Sequence, residues 1–252
     1  MTRVAIIAAL PAELKPMVQG WQHETRDAVD LWRWQFDQGE WVAACAGAGV
    51  DAATRAFAEV ELDGAIDRVV SVGWAGALRE EFQAGKAYQI SGVVDARTGE
   101  RFTVSRWPEP DSTAELAGLL TSATVADEPE KRRLAAAYSA GLVDMEAAGV
   151  ARLAAMRGIP FCCIKGVSDT LRDKLPDFNR FISESGQFRH ARFILFVLIR
   201  PWYWSALIRM GENSKKAALG LKESLLENLD RRGVLRTRNG YPNFKHSDPA
   251  GR

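Results

Sequence analysis

Four short apolar runs, each closely followed by a carboxylate or a glycine cluster, constrain this chain more than any other feature. They are Val4–Ala9, Glu40–Ala46, Asp67–Val72 and Phe161–Val167. After them come Glu13, Gly47-Ala48-Gly49, Gly73-Trp74-Ala75-Gly76 and Ser168-Asp169. Runs this short and this continuously apolar suit strands covered on both faces. Helical patterns lie between them: Asp51–Leu62 with Asp51 as N-cap, Glu130–Tyr138, and Asp144–Arg157, which stops at Gly158 and Pro160. Trp32–Phe36 and Lys86–Ala96 read as further strands, with Asp37-Gln38-Gly39 as a turn. Residues 97–113, broken by Pro108 and Pro110, read as a loop. This alternation predicts an α/β domain with a largely parallel sheet. In such sheets ligands bind beyond the carboxyl ends of the strands. The pattern therefore predicts a pocket holding two carboxylates, Glu13 and Asp169, with Glu146 as a third.

Composition narrows the chemistry. The 33 basic and 32 acidic side chains leave a formal net charge of +1, which argues against a nucleic-acid partner bound through its phosphates. Cys45, Cys162 and Cys163 have no CxxC spacing and read as reduced, buried thiols. His23, His190 and His246 stand far apart without metal-ligand spacing, so no metal site is expected. The N-terminal stretch reads as a buried strand, not a signal peptide. A cytoplasmic protein is the expectation.

Taken singly, the candidate residues have plain structural readings. Glu13 suits a first-turn carboxylate favoured by the helix dipole. Asp169 suits a helix N-cap, and Met145 a core methionine. Their order and surroundings go further. VAIIAALPAEL, VSVGWAGAL and GLVDMEAAGVARLAAMRGIPFCCIKGVSD resemble the nucleoside phosphorylase superfamily, most closely its methylthioadenosine/S-adenosylhomocysteine nucleosidase branch. The resemblance spans about residues 3–80 and 120–180, and weakly 211–229. It implies a three-layer α/β/α sandwich with a central mixed, largely parallel sheet, usually dimeric. It implies cleavage of a purine N-glycosidic bond, with no cofactor and with phosphate as co-substrate only for a phosphorylase.

Residue by residue, the resemblance matches Glu13 to the carboxylate that activates water and Asp169 to the general acid at the purine N7. Met145 and Glu146 match the pair that holds the ribose. Ala48 and Trp74 match positions lining the pocket, and Ser168 stands beside the acid. The chemistry is consistent. A purine anion leaves poorly, and a positioned acid contributes roughly 10²–10⁴-fold. A second carboxylate orients water on the opposite face of the sugar. The acid role asks that Asp169 be kept protonated near neutrality by burial or a carboxylate neighbour. Three positions depart from the branch. Trp74 replaces a small hydroxyl residue, Asp144 replaces a Glu, and Thr124-Val125-Ala126 stands where an adenine-stacking phenylalanine is expected.

Hydrolysis of an adenosine-type nucleoside is the first functional reading. Phosphorolysis is the alternative, including removal of adenine from an adenosyl-lipid such as adenosylhopane. A non-catalytic nucleoside-binding protein is a third. The catalytic domain is expected over 1–230, with a polar, flexible tail over 231–252. An apolar insertion falls at about 186–210, densest over Phe193–Met210. Its tryptophans, tyrosine and arginines suit a membrane interface. The plainer reading is a helix pair buried in a dimer interface or across the domain.

Overall fold

The computed structural model describes residues 2–36, 39–106, 116–183 and 186–231. Part of the expected turn at 37–38, part of the expected loop at 107–113, and the expected tail beyond Arg231 lie outside them. The strands are β1 (Thr2–Ala8), β2 (Gln22–Arg26), β3 (Val29–Phe36), β4 (Gly39–Cys45), β5 (Arg68–Ser71), β6 (Trp74–Ala77), β7 (Ala87–Asp95), β8 (Arg101–Thr103), β9 (Leu116–Thr121), β10 (Leu142–Asp144) and β11 (Phe161–Asp169). The helices are α1 (Pro11–Leu14), α2 (Val50–Glu61), α3 (Glu128–Ala137), α4 (Ala147–Arg157), α5 (His190–Leu198) and α6 (Trp204–Arg231).

The four apolar runs form the middle of the sheet. β4, β1, β5 and β11 lie side by side and parallel, and β11 is buried along its whole length. Beyond β11 the sheet closes on itself. β11 pairs in parallel with β6 and antiparallel with β7, and β6, β10, β9 and β7 complete the ring. Ring closure removes two edges that would otherwise stand open. It also bends β11. Val167 faces Ala75 and Asp169 faces Gly76, so Ser168 is an extra, bulged residue. Bulges re-aim side chains and gather beside functional sites.

Helices cover both faces. Alanines of α2 and α4, with Phe57 and Val60, fill one side of the core. Leu221 and Leu225 of α6 pack the other, against Val4, Ile6, Cys162 and Ile164. A Cβ on Gly166 would sit 2.7 Å from the Ala217 Cβ, so α6 reaches β11 only because that residue is glycine. All three cysteines are buried and none forms a disulfide.

Several local expectations are corrected. Gly49, at φ 95°, caps α2, so Asp51 lies inside the helix instead of capping it. Asp144 ends β10, and α4 starts only at Ala147. Residues 101–103, expected as loop, form β8 against β7. The Gly73-to-Gly76 stretch, expected to close a strand, contains β6 itself. The apolar insertion is divided between α5 and α6, whose first turns from Trp204 take in residues 204–210.

Candidate active site

The carboxyl ends of β1, β4, β5 and β11 converge on a small group of buried acids. Glu13 is held by three backbone donors. Ala9 N and Leu10 N donate to Oε2 at 2.9 and 2.8 Å, and Trp74 N donates to Oε1 at 2.7 Å. Gly73, at φ 136°, permits this: an added Cβ would lie 2.8 Å from Oε1. A carboxylate offers about four acceptor positions, so about one remains for a water. Burial raises the Glu13 pKa, opposed by the three amides and by Lys165.

Glu146 lies just before α4. Its Oε1 accepts from Gly49 N at 2.8 Å and its Oε2 from Met145 N at 3.2 Å. Burial, then the charge of Asp144, push it up to about 7. Asp144 is itself braced by Thr121 Oγ1 at 2.7 Å and Ala147 N at 3.0 Å. It pairs with Lys165 Nζ at 2.9 Å, both side chains being at most 1% exposed. Burial pulls Lys165 down, but Asp144 and Glu146 override it and the ammonium form is favoured. Glu13, Asp144, Glu146 and Lys165 thus act on one another as one buried cluster. Three acids share one cation, and burial favours the protonated forms of Glu13 and Glu146.

Asp169 belongs to a second group. Its Oδ2 is ion-paired with Lys131 Nζ. Ser168 Oγ donates to Oδ1 at 2.6 Å, and Lys131 also donates to Thr170 O at 2.7 Å. Its partner is therefore an ammonium group, where the acid role called for an apolar or acidic setting. The two groups meet on β6. Glu13 touches its first residue, and a Cβ on Gly76 would lie 3.3 Å from Asp169 Oδ2. Two residues along a strand separate them, about 7 Å.

A cavity of about 220 Å³ opens beside the first group. Ala48, Gly49 and Met145 line it, with Thr121 and Ser122. Of the residues singled out in the sequence, Ala48 and Met145 face it. Glu146 stands behind that wall, bonded to Gly49 and Met145. The Trp74 indole lies elsewhere: its Nε1 donates to Ser214 O at 3.1 Å, which anchors it to α6. Ile182, Ser183 and Gly186 also line the cavity. Gly186 O accepts from Ala48 N at 2.9 Å. The Asn179 carboxamide bonds Val125 N and O at 2.8 and 3.0 Å.

Sequence reading missed both lysines. Lys165 left a trace, one charge inside the apolar run FCCIKGV. Lys131 left none, because it sits in the polar helix EPEKRRLAAA.

The family model described as the phosphorylase superfamily matches residues 119–195, which hold Lys131, Met145, Glu146, Lys165 and Asp169. Over that segment the chain is similar to the phosphorylase superfamily. No curated protein sequence matches it at a significant level. Among solved structures, the 5'-methylthioadenosine/S-adenosylhomocysteine nucleosidase of Helicobacter pylori is similar at TM-score 0.68 and 15% identity, over 92% of this chain and 99% of that one. The Arabidopsis thaliana 5'-methylthioadenosine nucleosidase is similar at TM-score 0.70 and 16% identity, over 92% and 96%. Futalosine hydrolase of Helicobacter pylori is similar at TM-score 0.65 and 15% identity, over 90% and 98%. These likenesses establish a shared fold, the mixed α/β architecture of the superfamily.

Proposed function

We propose that this chain belongs to the phosphorylase superfamily and hydrolyses the N-glycosidic bond of an adenosine-type nucleoside, with water as nucleophile. The observation that carries the reading is a buried acidic cluster at the carboxyl ends of parallel strands, in which Glu13 and Glu146 act on one another and Glu146 bonds the Gly49 and Met145 that line the cavity. Glu13 keeps about one open acceptor position and takes a proton from the attacking water. Glu146, beside Met145 and Ala48, accepts bonds from the sugar hydroxyls. As the bond lengthens, positive charge grows on the sugar, and the acidic cluster stabilises it.

Departure of the base falls to the second group. Lys131, Asp169 and Ser168 hold one transferable proton in a buried ion pair. Lys131 gives that proton to Asp169, which passes it to the purine, leaving Lys131 as the neutral amine beside the Asp169 carboxylate. Asp169 thus acts as the acid while paired, with the lysine as its proton source. The proximity of Glu13 and Asp169 to one strand suits attack on one side of the sugar and departure on the other.

Water is favoured over phosphate by charge. Arg97 is the one cation among the described cavity residues, where Asp51 and Asp95 also stand. Lys165 is committed to Asp144. A phosphate anion would face Glu13, Glu146 and Asp144 with little to offset them. The proteins similar in fold, two methylthioadenosine nucleosidases and a futalosine hydrolase, support a nucleoside substrate.

The test is to incubate the protein with methylthioadenosine, S-adenosylhomocysteine, adenosine and inosine, with and without phosphate, and to measure free base. Release without phosphate is expected. Release only with phosphate would make it a phosphorylase. A nucleoside that binds without releasing base would make it a binding protein.

A further inference from the structure

The apolar insertion forms a surface of its own. Seven of the eleven strongly exposed large apolar side chains among the described residues fall between Ile194 and Ile208. Leu195, Leu198, Ile199 and Trp202 are each at least 60% exposed. This is far from the scattered apolar exposure of an ordinary surface. The opposite side of α5 explains why the hairpin is ordered nonetheless. Phe193 and Phe196 pack on Phe181 at 5.3 and 5.2 Å between ring centroids. The exposed face is therefore held outward by a rigid aromatic base.

Shape argues against a crossing. Among the described residues no helix is long and apolar enough to cross a membrane, and Ala191–Leu198 meets Pro201–Leu225 at 104°. The later part of α6 is buried against the sheet through Ala217, Leu221 and Leu225. A bent, one-sided apolar face of this kind lies in an interface plane.

Charge identifies the occupant. Residues 186–210 contain Arg189, Arg192, Arg200 and Arg209 and no Asp or Glu. Arg200 lies over the Phe196 ring at 3.9 Å, while Arg209 sits 3.7 Å from Asp173 and remains 58% exposed. A second copy of this chain, docked face to face, would set these arginines against their own counterparts. An anionic lipid surface meets them with opposite charge, and Trp202 and Trp204 suit its headgroup layer.

We propose that α5 and the start of α6 form a peripheral docking surface for an anionic lipid bilayer. The apolar face enters the headgroup boundary and the arginines contact the lipid phosphates. The hairpin follows Gly186, part of the cavity wall, and Gln187, whose Nε2 donates to Ala46 O at 3.0 Å. Docking therefore sets that wall beside the bilayer.

The full chain would be sedimented with phosphatidylcholine vesicles, with and without phosphatidylglycerol. Binding to the phosphatidylglycerol vesicles is expected, weakened at least about tenfold on pure phosphatidylcholine and again by added salt. The variant Ile194→Glu/Leu198→Glu changes exposed positions only. It should keep its circular dichroism and melting temperature while losing at least about a hundredfold in vesicle affinity. No binding by the wild type, or equal binding by the variant, would overturn the proposal. Equal partition onto both lipids would overturn its anionic part. A dimer in sedimentation velocity that the variant dissolves, with no vesicle binding, would assign the face to a second copy.

Discussion

Replacing Lys165 by methionine should unsettle the whole acidic cluster. Lys165 Nζ lies 2.9 Å from Asp144 with both side chains at most 1% exposed, and it donates to Val72 O at 3.3 Å. At an effective dielectric constant near 20, that separation gives an attraction of about 6 kcal/mol. Desolvation of the two charges offsets much of it, but removing one partner leaves the other buried and unpaired. Breaking such a pair costs about 3–5 kcal/mol. Asp144 would keep only its bonds from Thr121 and Ala147, with Glu146 and Glu13 nearby. Methionine fills most of the lysine stem's volume, so cavity formation adds little. Urea unfolding followed by the fluorescence of the 8 tryptophans measures the loss. Asp144→Asn added to Lys165→Met should recover about 2 kcal/mol or more, a coupling expected for residues in contact. A single-variant loss under about 1 kcal/mol, as for a solvated surface pair, would refute the buried-cluster account. So would strict additivity in the double variant.

Other outcomes follow from the same geometry. Burial and Asp144 raise Glu146 from 4.5 to about 7, so the fold favours its protonated form. Its contribution to stability is complete below pH 4.5 and is lost as pH rises to about 7, by at most about 3 kcal/mol. Glu146→Gln should flatten unfolding free energy against pH across that window, and an unchanged slope would remove Glu146 as its source. Gly73→Ala, at φ 136° with its Cβ 2.8 Å from Glu13 Oε1, should cost about 1–3 kcal/mol in thermal unfolding. It should lower turnover further by displacing Glu13, and turnover equal to wild type would contradict that placement. Asp169→Asn should lower kcat at least about a hundredfold, and an unchanged kcat would remove Asp169 from departure of the base.

Much of the frame was readable from residues because its signals are local. Continuous apolar runs placed β1, β4, β5 and β11, and the elements after them placed Glu13 and Asp169 at the carboxyl ends. What was unreadable depends on distant pairing. Trp74–Ala77 is masked by Gly73 before it and Gly76 within it, yet it becomes a strand once β10 and β11 flank it. Gln22–Arg26 is exposed along most of its length, so it carries no apolar pattern to betray it. Asp144 resembles a helix start because acids favour that position, but its partner Lys165 lies on another strand. Lys131 looks like a surface lysine, and only the fold brings it to Asp169. The Trp74 indole was assigned to the pocket by position alone, while its contact with Ser214 turns it toward α6.

The most direct test follows oxygen. Reaction with methylthioadenosine in heavy-oxygen water, with phosphate present, should give free adenine and a sugar carrying one heavy oxygen at its anomeric carbon. Glu13→Gln should slow that release at least about a hundredfold. A sugar 1-phosphate without the label would contradict the account, and so would full activity without Glu13.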